Sequence, residues 1–60
     1  MTAAYIRYED AVLNVLGHCD QGQDLVGACE WESSFWNLTS GRLLGLVQAW
    51  CAIAGVPIPD

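Results

Sequence analysis

The chain has 60 residues, of which two are basic (Arg7 and Arg42) and seven acidic, a formal charge of −5. Such a length allows one domain with a thin core, a pI near 4.3 excludes direct binding to nucleic-acid phosphates, which takes clustered Lys and Arg, and 53% hydrophobic residues exclude an intrinsically disordered segment. The most apolar stretch, from Leu43 to Pro59, is broken by Gln48 and Pro57 and falls short of the about 20 consecutive apolar residues that a spanning helix needs.

Turn signals divide the chain into three helical segments. The first is expected over about residues 3–17 with Thr2 as its cap. At 100° per residue Tyr5, Ile6, Tyr8, Val12, Leu13, Val15 and Leu16 share one half of its surface, Arg7, Asp10 and Asn14 the other. Gly17 stands where a terminal glycine belongs, which leaves His18, Cys19 and the polar run Asp20-Gln21-Gly22-Gln23 as a loop. Glu9 projects among Tyr5, Val12, Leu13 and Leu16, inside the apolar stripe. A carboxylate there must find a partner or mark an interface edge.

The second helix is expected over about residues 24–37, opened by Asp24. Its apolar side collects Leu25, Ala28, Cys29, Trp31, Phe35, Trp36 and Leu38, and its polar side Glu30, Ser33, Ser34 and Asn37; Ser33-Ser34 lowers helix propensity enough to invite a break. Glu32 falls between Phe35 and Trp36 on the apolar side. The third helix is expected over about residues 41–54, with Thr39 or Ser40 as cap, Gly55 as stop, and a Pro-containing tail over about residues 55–60. Leu43, Leu44, Leu46, Val47, Trp50, Cys51, Ile53 and Ala54 make its apolar half. Gly41, Gly45 and Ala49 form a small-residue stripe on the other side, read as a thinly covered solvent face.

The fold class expected from these segments is all-α, a small three-helix protein. Tyr5, Tyr8, Trp31, Phe35, Trp36 and Trp50 are more rings than three short helices can cover, which argues for a homodimer with a shared apolar core.

Chemistry-bearing patterns are sparse. Four soft ligands exist in His18, Cys19, Cys29 and Cys51, but no C-x2-C pair begins a zinc site, and Cys29 and Cys51 lie on apolar faces. No metal or cofactor is therefore expected, and a Cys/His metal or thiol sensor is the alternative function. The chain contains no Gly-rich phosphate loop, no G-x-S-x-G and no H-E-x-x-H, so no enzyme is expected. The N-terminal ten residues carry Arg7, Glu9 and Asp10 and no apolar core of a secretory signal, which points to a cytoplasmic protein.

What remains is a stand-alone acidic module that binds another protein and inhibits or masks it, for example a basic nucleic-acid-binding protein. Glu30, Trp31, Glu32 and Trp36, with Glu9, are the candidate partner-binding residues, because they combine aromatic anchors with acids that steer a basic partner. A small structural subunit of a larger assembly, docked through the third helix and Pro57-Ile58-Pro59, is the other alternative.

Overall fold

The computed structural model describes residues 2–59, with side chains from residue 9 onward. The side chain of the expected Thr2 cap and the rings of Tyr5 and Tyr8 lie outside the described side chains, as do those of Ile6 and Arg7. The chain forms α1 (Thr2–Asp20), α2 (Leu25–Trp36) and α3 (Ser40–Ala54), and no strand is present among the described residues. Each helix packs on the other two, so the architecture is a three-helix bundle.

Local chemistry explains most of the boundaries. Asp24 is extended and its carboxylate accepts from the backbone N–H of Gly27 at 3.0 Å, while the Thr39 hydroxyl accepts from Arg42 N at 3.2 Å. Each satisfies one of the orphan donors at a helix start. Asn37 and Gly55 close α2 and α3 in the left-handed conformation, with φ of 60° and 73°. The following amides, Leu38 N and Val56 N, bond back to the carbonyls of Ser33 and Cys51, the arrangement that satisfies terminal carbonyls.

The end of α1 differs from expectation. The helix continues through Gly17 to Asp20, so His18 and Cys19 belong to its last turn and not to a loop. The conformational freedom needed for the stop is supplied by Gly22, at φ 102°, while Gln21 and Gln23 N bond to His18 O and Gly22 N to Cys19 O. The extra turn is held from outside: Cys19 packs against the core and the His18 ring bonds to α2. The break that Ser33-Ser34 could have invited is absent; Ser33 is buried and its hydroxyl donates to Glu30 O one turn back, and α2 runs continuously as expected.

The core joins Ala11, Val12 and Val15 of α1, Leu25, Ala28 and Cys29 of α2, and Leu43, Val47 and Cys51 of α3. Leu16, Cys19, Trp36, Leu38, Leu44, Leu46 and Trp50 pack around it. The three α3 residues follow strict four-residue spacing, so the buried side of that helix is narrower than a half-circumference and leaves Ile53 87% exposed. Leu13 likewise stands outside the core of α1. Gly41 and Gly45 meet no neighbouring atom and Ala49 is exposed, which makes the small-residue stripe a solvent face.

The nine buried residues of the core come from all three helices of a single chain; the homodimer expected from the sequence is a question for sedimentation. No helix of the described residues is long and apolar enough to cross a membrane.

Candidate functional site

The largest departure from the sequence pattern is the rotation of α2. The face turned inward is Leu25, Ala28, Cys29, Glu32, Ser33 and, half-buried, Trp36, a set at helical spacing in which polar residues occupy two inner positions. Trp31 and Phe35, expected among the apolar set, are 68% and 77% exposed.

Glu32 makes the inward rotation tolerable. It is only 6% exposed, and a buried carboxylate needs its lone pairs satisfied. Its Oε2 accepts from His18 Nε2 at 2.7 Å; its Oε1 accepts from Trp36 Nε1 at 2.9 Å and more loosely from Asn14 Nδ2 at 3.4 Å. An Nε2 facing a carboxylate at this distance carries a hydrogen, in the neutral tautomer or in the imidazolium. The carboxylate therefore ties α1 to α2 through two α1 side chains and braces the Trp36 indole from one turn below. Glu32 faces the chain's own interior.

Trp36 passes that restraint outward. Phe35 stands edge-on to it, with ring centroids 5.5 Å apart and planes at 79°, a favoured aromatic geometry. Phe35 and Trp31, one turn apart on the outer side of α2, line a shallow open groove with Gln23, Gly27, Glu30 and Ser34. Gly27 and Ser34 keep its floor low. The cap carboxylate crowds Gly27: a methyl there would come within 2.9 Å of Asp24 Oδ1.

The candidate residues therefore separate. Glu30 and Trp31 share the groove, Trp36 is half-buried behind it, and Glu32 is internal. Glu9 is exposed on α1, outside the apolar stripe, where Trp50 Nε1 approaches it at 3.4 Å, and it does not line the groove. Hydropathy puts Phe35 on the apolar side of α2, and its place one turn beyond Trp31 is the signal that joins it to the groove.

Two other constellations can be checked among the described residues. A histidine held by a buried carboxylate is the oriented-base half of a nucleophilic triad. Among the described residues no hydroxyl or thiol bonds to His18. Burial first, then the charges of Asp20, Asp24 and Cys51, push the Cys19 thiol up; burial and Cys19 push Cys29 up. That is the reverse of the depressed thiol acidity that makes a cysteine reactive. Cys19, Cys29 and Cys51 are free thiols, and among the described residues no three His, Cys, Asp or Glu side chains are grouped to hold a metal ion.

These shifts predict an alkaline weakness. A thiol whose folded pKa is raised holds its proton longer in the folded chain than in the unfolded one. Its stabilisation is complete below the unfolded value of about 9.0 and disappears as pH rises through the folded value. The melting temperature should be level near pH 7 to 8 and fall as pH rises above 9, and Cys19 should alkylate with iodoacetamide at pH 8 more slowly in the native chain than in urea. A melting temperature that stays level as pH rises above 9, together with equal alkylation rates, would contradict it.

No family, curated protein or solved structure matches the chain.

Proposed function

We propose that this chain is a small acidic protein-interaction module that docks through the outer face of α2 onto another, basic protein and masks or inhibits it. The observation that supports this is the pair Trp31 and Phe35, mostly exposed one turn apart beside Glu30, with Phe35 seated on a Trp36 that Glu32 holds in place. Single exposed apolar residues are ordinary. Two adjacent large rings on a rigid helix are the residue types and geometry of a binding hot spot, since few rotamers are lost when a partner covers them. Raised thiol pKa values weigh against a thiol sensor, so docking is the preferred function.

The double variant Trp31→Ala/Phe35→Ala tests it. Both side chains stand largely outside the core, so helicity by circular dichroism should be kept. Immobilised wild-type chain should retain a specific partner from a lysate of the source organism, and the double variant should bind that partner at least about 30-fold more weakly, the equivalent of a 2 kcal/mol hot spot. Equal retention by the folded variant would remove this face from the function.

A further inference from the structure

Resting on that docking face, we infer the chemistry of its occupant: an amphipathic, arginine-bearing helix of the partner, with one guanidinium laid over the Trp31 indole and paired with Glu30. Three features lead there. Within α2 the groove runs from Gly27 to Phe35, about two turns or some 12 Å at 1.5 Å per residue, which suits two turns of a helix lying along it. The lining contains a carboxylate, Glu30, and no basic residue, and the chain as a whole carries −5. Finally, the indoles differ: Trp36 and Trp50 donate their N–H groups to carboxylates of the chain, whereas Trp31 has no such bond among the described residues and turns an open ring to solvent.

An aromatic face attracts cations, and arginine stacks on it while its remaining N–H groups pair with a neighbouring carboxylate. Lysine, a compact and strongly hydrated charge, gains less from the same surface. A second copy of this chain is a poor occupant by the same accounting, because it would set Glu30 against Glu30 and −5 against −5.

The test uses the full ¹⁵N-labelled chain and synthetic 14-residue amphipathic peptides of leucine, alanine and arginine, with matched versions in which lysine or glutamate replaces every arginine. The three indole N–H signals report on three places, and Trp50 beside Glu9 serves as the control for unspecific attraction between a basic peptide and an acidic chain. With the arginine peptide the Trp31 signal should shift saturably while that of Trp50 stays. Binding should weaken several-fold for the lysine peptide, at least tenfold for the glutamate peptide, about fivefold in Glu30→Gln and at least about 30-fold in Trp31→Ala, and it should decline with added salt.

Equal binding of the glutamate peptide, an unchanged affinity in Glu30→Gln, or movement of Trp50 in parallel with Trp31 overturns the arginine occupant. So does a Trp31 shift produced by raising protein concentration alone with a doubled sedimentation mass, which identifies a second copy. If no peptide binds but lysate capture still depends on Trp31 and Phe35, the occupant is wrong and the docking face stands. If capture is indifferent to those rings, the docking face itself fails.

Discussion

Glu32→Ala is expected to lower folding stability by about 2 to 4 kcal/mol, a large share of the roughly 3 to 9 kcal/mol available to a domain of this size. The substitution removes the acceptor of three donors at once, His18 Nε2, Trp36 Nε1 and Asn14 Nδ2. Asn14 is exposed and His18 partly so; both can turn to water, and the penalty falls chiefly on the half-buried Trp36 N–H and on the void left between α1 and α2. At 4 to 8 °C per kcal/mol for a small domain, the thermal midpoint should drop by about 8 to 32 °C in circular dichroism. Glu32→Gln should fall between, since its amide oxygen still serves Trp36 while its NH2 group opposes a His18 that donates. A midpoint within 3 °C of wild type for Glu32→Ala would mean that the cost of desolvating the carboxylate cancels what its bonds contribute.

Leu43→Ala is expected to be at least as damaging. Leu43 has no accessible surface and heads the inner row of α3 that meets both other helices. Deleting its isobutyl end removes about 2 to 5 kcal/mol, through lost burial and the cavity that a three-layer core cannot collapse to fill. The variant should show no cooperative melting transition above 37 °C. Ile53→Ala is the matched control on the same helix: the residue is 87% exposed, so its replacement should stay within about 0.5 kcal/mol of wild type. Equal losses for the two variants would place the wrong side of α3 inward.

The helix count and the caps Asp24, Thr39 and Gly55 were legible because each depends on residues within one turn. So was the inner row of α3, where the apolar residues recur without interruption. The end of α1 was not: Gly17 and Gly22 are equally good stops locally, and what carries the helix past the first is the bond of His18 to a carboxylate fourteen positions later. The phase of α2 failed for the same reason. On hydropathy alone Trp31 and Phe35 belong inside and Ser33 outside. The inward choice of Glu32 is decided by donors from α1, which no projection of α2 contains. Half of the candidate site was nonetheless visible, as Glu30 and Trp31, since the pairing of acid and ring is a matter of residue type. Its other ring, Phe35, was hidden by the misjudged phase.

The connections between the helices occupy residues 21–24 and 37–39. Chain closures of that length take on the order of tens of nanoseconds, and bundles dominated by sequence-near contacts fold within microseconds to milliseconds. With a stability of only a few kcal/mol, folding on that scale implies unfolding within roughly seconds or less. Each molecule then passes through its unfolded form many times in an hour. A partner that grips the ridge of α2 would hold the helix in its folded state and interrupt that turnover, so occupancy would set the lifetime of the fold as well as the state of the partner.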